Sequence, residues 1–512
     1  MISRIKIVLS IVTFSFLVGC GGDRSHSTPQ SSLTTTDLTN KSDNVEQNSS
    51  VTWIAGEYPD WRHLGGICAN PNQGELQGTV ADENAWIRSF SHDTYLWYRE
   101  LEDIDPASIG STRAYFERMK TPEDRFHYYI ETKEASAQAA GHSIGYGAKF
   151  LQSKEGLVVA YVEPNSPASR QRLSRGAIIT AIDGVDIASK DSRSLDAILY
   201  YPKLGESHTF EVKESGASKA RRITMESVDF FADPVKNQQV FSFDGKTIGY
   251  LTFNAHNEPS EQQLISTVRE FQQQNIDELV LDLRYNGGGS IAIAAQLGYM
   301  IAGTASQEKI FAHLQFNDKH TAFNPIEGTP LSPVVFHPIE NALDPSVTDD
   351  TGLPVLDLER VFVLAGKYTA SASEVLVNGL RGIDFKVVLI GETTVGKPYG
   401  FYPMNNCGIT YLTIQLKSLN AKNFGDYANG FEPVTTANSR GAEVNGCRVA
   451  DDFSYPLGNP KEARLATALS YIKEGRCPEN TASAISDDEG IQLDGPNQFE
   501  GVLMPEFGQI LP

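Results

Sequence analysis

Residues 361–380 of the chain read VFVLAGKYTASASEVLVNGL. The apolar run 361–365 predicts a buried strand, a short turn follows, and the apolar-periodic segment that begins near Ser371 predicts a helix. A strand that leads through a tight turn into a helix places a serine hydroxyl beside the backbone N–H groups of the helix start. Such groups can stabilise an oxyanion, so Ser371 is a candidate nucleophile.

The same residues allow a purely structural interpretation. Ser371 and Glu374 have the spacing of a capping box, in which the serine caps the helix and the glutamate reaches back to the serine N–H. The local sequence fits both interpretations, and the choice between them depends on what the rest of the chain provides.

A glycine-rich loop precedes this stretch. The buried-type strand 278–283 runs into Arg284-Tyr-Asn-Gly-Gly-Gly-Ser290, and a helix is predicted over 291–301. Three glycines allow close backbone approach and can aim N–H groups at an anion. A phosphate loop, a plain tight turn and an oxyanion-hole strand all fit. Neither dinucleotide nor P-loop spacing is present, and we favour the oxyanion-hole strand.

A serine nucleophile also needs a base. Lys397 lies in Gly391-Glu-Thr-Thr-Val-Gly-Lys-Pro398, after the predicted strand 385–390. Lysine can act as a base once burial lowers its pKa, and Pro398 restricts the backbone of Lys397. The alternatives are a surface lysine at this position and His256 as the base. Serine–histidine chemistry would also need an orienting carboxylate, which the sequence does not locate.

The region upstream is rich in short strands separated by glycine and proline. It contains Gly145-Tyr146-Gly147-Ala148, then Asn165-Ser-Pro-Ala and Ile182-Asp-Gly. This order resembles a PDZ domain. The resemblance implies that the N–H groups of residues 145–148 bind the terminal carboxylate of a peptide, which adds a strand to the sheet edge.

Three motifs in this order, with a PDZ domain upstream, resemble the C-terminal processing, or tail-specific, serine peptidases over residues 85–478. The resemblance implies that Ser371 is the nucleophile and Lys397 the general base. It further implies an oxyanion hole formed by the N–H groups of Ala372 and of one glycine of the triple. We choose Gly288 for the second group, with its neighbouring glycines as close alternatives. Many members carry a glutamine four residues after the lysine, thought to orient it, and here that position is Phe401.

The first twenty residues have a pattern that predicts a targeting signal. Arg4 and Lys6 precede an apolar run that is too short for a permanent membrane helix, and the run ends in Leu17-Val-Gly-Cys20. This ending resembles the lipobox of bacterial lipoproteins, which implies cleavage before Cys20 and lipidation of that cysteine. The alternative is an ordinary secretory signal. Gly21 after the cysteine favours the outer membrane.

Four further cysteines, an even number in an exported chain, predict two disulfides. Three pairings are open, and we favour Cys447–Cys477 together with Cys68–Cys407. The chain has no CxxC or HExxH spacing, so we expect no metal site and no cofactor. The net charge of −21 argues against duplex nucleic acid as a partner.

The predicted fold is an α/β catalytic domain, an inserted or preceding β-rich PDZ domain, and a small N-terminal helical domain with an aromatic core. Residues 305–355 lack periodicity and are expected to form a loop, with a lid over the substrate groove as one option. The predicted segments are a lipoprotein signal peptide (1–19), a flexible tether (20–58), the helical domain (59–138), the PDZ domain (139–230), the peptidase domain (235–478) and an acidic tail (479–512).

The expected function is that of a lipid-anchored, periplasm-facing endopeptidase. It would cut exported or misfolded polypeptides near their C-termini, and its PDZ domain would capture polypeptides with apolar C-termini. Two alternatives belong to other classes. One is a catalytically degenerate binding protein of the same fold, and the other is an adaptor that uses only its PDZ groove.

Overall fold

The computed structural model describes residues 52–189, 192–339, 352–437 and 441–479. The predicted signal peptide with Cys20, most of the predicted tether and nearly all of the predicted acidic tail lie outside these residues. None of the described helices combines the length and the apolar character needed to span a bilayer.

The N-terminal region contains the predicted helices. The longest, α1, has Thr79 as its N-cap, and the side chains of Thr79 and Asp82 form a capping box. The helix buries Trp86 and Phe90. A strand in this region pairs with residues 409–412, so the region packs directly on the C-terminal part. Its elements are β1 (Ile67–Cys68), β2 (Leu76–Gln77), α1 (Val80–Thr94), α2 (Thr112–Arg118), β3 (Tyr128–Glu131) and α3 (Thr132–Ala139).

The middle region, residues 142–231, is the predicted β-rich unit. Its sheet has the order β10-β9-β7-β6-β5, with β8 paired to β7, and β5 lies at one edge. Strands β4 and β11 form a separate two-stranded ribbon. The elements are β4 (His142–Gly145), β5 (Ala148–Ser153), β6 (Gly156–Val162), α4 (Pro167–Arg170), β7 (Ile178–Ile182), β8 (Val185–Asp186), α5 (Ser192–Leu199), β9 (Ser207–Lys213), β10 (Arg221–Glu226) and β11 (Val228–Phe231).

The C-terminal region is an α/β unit around a seven-stranded sheet of order β12-β13-β14-β17-β18-β24-β23, in which only β12 is antiparallel to its neighbour. Its elements are β12 (Val235–Phe243), β13 (Lys246–Phe253), α6 (Glu258–Gln273), β14 (Glu278–Asp282), α7 (Ile291–Ala302), β15 (Ile310–Phe316), β16 (Val334–Val335), β17 (Arg360–Ala365), α8 (Ala372–Gly382), β18 (Lys386–Gly391), β19 (Tyr399–Gly400), β20 (Met404–Asn406), β21 (Ile409–Leu412), β22 (Leu416–Leu419), β23 (Glu432–Val434), β24 (Glu443–Arg448) and α9 (Ala463–Glu474).

Apolar side chains cover both faces of this sheet. Helices α6, α7 and α8 pack on one face and α9 on the other, which explains why β14, β17 and β18 are continuous apolar runs. These three strands are parallel neighbours. Their carboxyl ends therefore lie side by side, which is where open α/β sheets carry ligand sites. The three predicted motifs follow these strands.

The structure corrects one sequence expectation. The segment 305–355 was expected to be a loop, yet it contains strand β15. The error arises because β22, which pairs with β15, is distant in sequence.

The disulfides Cys68–Cys407 and Cys447–Cys477, which the sequence favoured, are present in the structure. The first ties β1 to the turn between β20 and β21. Glu83 lies close to this pair, but disulfide sulfurs are not thiolate ligands, so the group is not a metal site.

Candidate active site

Ser371 lies at the start of helix α8, where the chain leaves β17. Its φ is 54° and its ψ −120°, a positive-φ conformation that residues with a side chain seldom adopt. Strained residues of this kind are concentrated at functional sites. The turn is held by Thr369, whose Oγ1 donates to Leu283 O at 2.8 Å and accepts from Gly366 N–H at 3.0 Å.

The glycine loop lies against Ser371. A Cβ on Gly288 would stand 2.7 Å from Ser371 Cβ and 2.8 Å from Ala372 N, so only glycine allows this approach. The Gly288 N–H donates to Asn286 Oδ1 at 2.9 Å. This N–H, which was predicted to be an oxyanion donor, is therefore already hydrogen-bonded. Gly289, its neighbour, lines a cavity together with Ser371.

The loop after β18 brings Lys397 to the same cavity. The side chain is buried, at 1% exposure, and burial lowers the pKa of Lys397 to about 7, while the charges of Asp124 and Glu374 act to raise it. The tertiary structure therefore places the predicted nucleophile and a lysine suited to be a base beside one cavity.

Two aromatic rings pack on the Lys397 amine. Its Nζ lies 4.2 Å from the centroid of the Phe401 ring and 5.0 Å from that of Phe126. Ring faces attract a cation, although they give it little direction. Phe126 comes from the N-terminal region, and nothing in the sequence pattern near it pointed to the site.

Glu374 connects the two catalytic candidates through their backbones. It is fully buried, and its Oε2 accepts from the N–H groups of Ser371 at 3.0 Å and Lys397 at 2.8 Å. Its Oε1 accepts from Gly396 N–H at 2.7 Å and Thr394 Oγ1 at 2.5 Å. The predicted bond from Glu374 to Ser371 is present, and the same carboxylate also fixes the lysine loop.

His256, the alternative base, supports the glycine loop. Its ring is fully buried and its Nδ1 lies 3.2 Å from both Asn286 Oδ1 and Gly288 O. Burial lowers the pKa of His256 to about 4. His256 is not among the residues that line the Ser371 cavity within the described part of the chain, so its position suits a structural role.

The walls of the cavity around Ser371 are mainly apolar. Four of its lining side chains, which come from four different elements or loops, are hydrophobic and close to the serine and lysine: Ile291, Val375, Phe401 and Leu416. An extended chain that enters this cavity would meet a small apolar recess beside the hydroxyl.

The predicted carboxylate loop borders a second cavity. Residues 145–148 line it together with Lys149 of β5 and with Lys236, Asn254 and Tyr285 of the C-terminal region. Its volume is about 180 Å³. The loop therefore lies between the middle region and the catalytic sheet rather than in the Ser371 cavity.

One arginine fixes the middle region to the glycine loop. Arg175 Nη1 donates to Tyr285 Oη at 2.7 Å, and Nη2 donates to Asp451 Oδ1 at 2.6 Å. The adjacent Arg284 also donates to Asp451 Oδ1, at 2.8 Å. This bonded group holds Arg284 and Tyr285, the first residues of the glycine loop, against the middle region.

Comparisons with known proteins identify the relatives of this chain. The family model of the peptidase family S41 matches residues 247–423, and that of the peptidase S41 N-terminal domain matches residues 82–128. The chain is 26% identical over 347 residues to the carboxyl-terminal-processing protease of Picosynechococcus sp., which covers 66% of this chain and 71% of that protein.

Two further likenesses extend the comparison. The "Probable CtpA-like serine protease" of Staphylococcus haemolyticus is 20% identical over 326 residues, which are 63% of this chain and 59% of that protein. A crystal structure from Bacteroides fragilis, described as that of a candidate S41 protease, superimposes with a TM-score of 0.58 at 24% identity, over 79% of this chain and 99% of that chain. The similarity to the Bacteroides fragilis structure is a similarity of fold alone. The chain belongs to peptidase family S41 and is a serine-type peptidase.

Proposed function

We propose that this peptidase is an endopeptidase that cuts exported or misfolded polypeptides near their C-termini with a Ser371–Lys397 dyad. The observation that carries the proposal is the shared cavity. It is lined by a serine at a helix start and by a buried lysine whose pKa is lowered to about 7. Near neutral pH much of such an amine is uncharged and can accept a proton.

The chemistry then follows from the positions of the groups. Lys397 Nζ takes the Oγ proton while Ser371 attacks the scissile carbonyl carbon. The N–H groups of Ala372 and Gly289 stabilise the oxyanion, with Gly289 in place of Gly288, whose N–H is bonded to Asn286. Lys397 protonates the leaving amine, and an acyl-enzyme remains. Lys397 then activates the water that hydrolyses the ester.

Capture of the substrate tail is assigned to the middle region acting as a PDZ domain. The tail would pair with β5, the edge strand of its sheet, and its carboxylate would be bound by N–H groups of residues 145–148. Two observations support this. Strand β5 ends the order of its sheet, and the loop borders a cavity large enough for a chain terminus. Lys149 adds a positive group at the same place.

The proposed location is the periplasmic face of the bacterial outer membrane, with Cys20 as the lipid anchor. The support is the sequence pattern of the first twenty residues. Replacing Cys20 by serine should release the protein from the membrane fraction into the soluble periplasmic fraction. A Cys20→Ser protein that stays in the membrane fraction would contradict the anchor.

The decisive experiment measures cleavage of an unfolded reporter protein with an apolar tail. Ser371→Ala and Lys397→Met should each lower kcat/KM by at least about 1,000-fold, because each removes a group that acts in the chemical step. Ser136→Ala, on the exposed surface of α3, is the matched serine control and should retain full activity. Wild-type activity in Ser371→Ala would overturn the dyad.

A catalytically degenerate binding protein is the second candidate, and Phe401 beside the amine is the observation that favours it. A fluorophosphonate phosphonylates only an activated serine, whose Oγ forms a bond to phosphorus while fluoride leaves. Stoichiometric labelling of Ser371, lost in Lys397→Met, would exclude a pure binding protein. Binding of a C-terminal peptide by a wild-type protein that resists labelling would support the binding protein or the adaptor.

A further inference from the structure

The peptide bond between Gly288 and Gly289 is held in place by His256. The Gly288 O accepts from the backbone N–H of His256 at 3.0 Å, and His256 Nδ1 lies 3.2 Å from the same oxygen. One residue further along the loop, the Ser290 N–H donates to His256 O at 2.9 Å. His256 and Gly289 therefore pair as an isolated parallel bridge, and the loop is fixed on both sides of Gly289.

This pairing decides where the Gly289 N–H points. In a planar trans peptide, the C=O of one residue and the N–H of the next point in opposite directions. Because Gly288 O points at His256, the Gly289 N–H points away from His256. This N–H has no hydrogen-bond partner within the described part of the chain, and Gly289 lines the cavity that also contains Ser371.

The second proposed oxyanion donor lies close to the same loop. Ala372 is the first residue of α8, and a Cβ on Gly288 would stand 2.8 Å from Ala372 N. The Gly288 N–H is already bonded to Asn286 Oδ1. An oxyanion hole works because its donors are fixed in advance toward the place where negative charge develops. The direction of the Gly289 N–H is therefore a quantity on which the rate depends.

The His256 ring adds a side-chain hydrogen bond to the loop. Its Nδ1 lies 3.2 Å from both Gly288 O and Asn286 Oδ1, and the Asn286 amide nitrogen donates elsewhere, to Phe253 O at 3.0 Å. Both neighbours of Nδ1 are thus acceptors, so Nδ1 carries the ring proton. A proton on Nε2 would have no acceptor among the described residues and would leave the Nδ1 lone pair facing two oxygens.

His256 is itself firmly held. It lies between β13 and α6 and is fully buried. Its ring packs on Phe253, with 4.4 Å between the ring centroids. A donor on such a rigid support can hold the glycine loop without reorganising during the reaction, which is what preorganisation of an oxyanion hole requires.

We infer that His256 is a positioning residue for the oxyanion hole: its backbone N–H and its imidazole Nδ1–H hold Gly288 O, and this aims the Gly289 N–H at the oxyanion formed when Ser371 attacks. The inference rests on the proposed Ser371–Lys397 dyad. It gives a task to the histidine that the sequence offered as an alternative base. His256 acts through the glycine loop and does not touch the substrate.

The first test compares His256→Leu and His256→Asn with wild type in reporter cleavage. Leucine removes the imidazole donor and keeps an apolar side chain against Phe253. The looser Gly289 N–H should lower kcat about 10- to 100-fold, with KM changed less than about 3-fold. Asparagine retains an N–H near the position of Nδ1, so His256→Asn should recover most of the lost kcat.

A pair of inhibitors measures the oxyanion hole directly. One is a peptide aldehyde that ends at the mapped cleavage site of the reporter, and the other is the matching alcohol. Ser371 Oγ adds to the aldehyde carbon, so the aldehyde oxygen occupies the hole, whereas the alcohol binds without this adduct. In His256→Leu the Ki of the aldehyde should rise by about the factor by which kcat falls. The Ki of the alcohol should change less than about 3-fold.

The matched control is His337→Leu. His337 Nδ1 also lies 3.1 Å from a backbone oxygen, that of Ile339, and His337 does not line the Ser371 cavity. This variant should keep wild-type kcat and aldehyde Ki. A folded His256→Leu protein with wild-type kcat and aldehyde Ki, or with equal losses for aldehyde and alcohol, overturns the inference and leaves the dyad intact. A wild type that neither cleaves nor labels at Ser371 overturns the dyad and the inference with it.

If His256→Leu does not fold, the wild-type protein provides the second test. A crystal structure with the aldehyde bound to Ser371 should place the adduct oxygen within about 3.2 Å of Gly289 N. Gly288 O should still accept from His256 in that complex. An adduct whose oxygen makes no contact with Gly289 N would overturn the inference.

Discussion

Glu374 Oε2 accepts a hydrogen bond from the backbone N–H of Lys397 at 2.8 Å. The same oxygen accepts from the backbone N–H of Ser371 at 3.0 Å. One buried carboxylate therefore links the loop that carries the proposed base to the turn that carries the proposed nucleophile. A residue that the sequence suggested as a helix cap is thus a link between two parts of the site.

Glu374→Gln should disturb both loops. The amide has one acceptor oxygen in place of two, and its NH₂ group would face N–H groups that also donate. We expect a loss of about 3 kcal/mol in the free energy of unfolding and a kcat at least about 10-fold lower. Urea unfolding and reporter cleavage measure the two effects.

The control for this change is Glu278→Gln at the amino end of β14. Glu278 is also buried, and it pairs with Arg360 and Lys246. The Glu278→Gln protein should be less stable and keep its kcat, because Glu278 lies at the opposite end of the sheet from the site. An equal loss of kcat in both variants would contradict a specific link through Glu374.

Lys397→Met should stabilise the protein in a pH-dependent way. Burial lowers the pKa of Lys397 from 10.5 to about 7, so below pH 7 the folded state holds a buried cation at a cost that the unfolded state does not have. This cost falls as pH rises from about 7 to 10.5 and is absent above that range. The gain in Tm should therefore be largest at pH 6 and smallest near pH 10.5.

Lys386→Met, at an exposed position of β18, serves as the control and should change Tm little at any of these pH values. Differential scanning calorimetry provides the readout. A destabilised Lys397→Met protein at pH 6, or a gain that grows toward pH 10, would show that the lysine is not held at a lowered pKa.

Gly288→Ala should abolish catalysis. The new methyl group would lie 2.7 Å from Ser371 Cβ and 2.9 Å from Ala370 O, at a φ of 109°. Gly74→Ala is the control for backbone strain without crowding, because the φ of Gly74 is 95° and nothing lies within 4 Å of the added Cβ. We expect Gly288→Ala to be about 2 kcal/mol less stable than Gly74→Ala. Its kcat should be at least about 100-fold lower than that of Gly74→Ala.

The two disulfides should differ in their effect on catalysis. Cys68–Cys407 closes a separation of 339 residues and Cys447–Cys477 one of 30. The chain-entropy model gives losses of about 6 and about 4 kcal/mol for their removal. Cys407 precedes β21, which pairs with β3 just after Phe126, so the double serine variant of the long pair should also lose kcat. Equal kcat in both double variants would refute this coupling.

Much of the fold and site could be predicted because the signals are local. Strand β17, the turn and helix α8 follow from apolar runs, glycine and a polar helix start within one stretch. The glycine triple and Lys397 are recognisable for the same reason, since each motif combines its residue types with a strand before it. The resemblance to a family then assigned roles that residue types alone left open.

Other features depend on residues that are far apart in the chain. Phe126 and Lys397 meet in a part of the fold where β3 pairs with β21, a contact between segments nearly three hundred residues apart. The Gly288 N–H donates to Asn286 and not to the proposed oxyanion. Glycine permits this backbone orientation, and no sequence pattern predicts it.

The sequence by itself determined the secondary structure around Ser371, the presence of a serine, a lysine and a glycine loop, and the class of chemistry they suit. These are properties of residue type and spacing. Only the tertiary structure decided that Lys397 is buried deeply enough for its pKa to fall to about 7, and which carboxylates influence that pKa. Burial and charge proximity are set by packing between distant segments, so they exist only once the chain has folded.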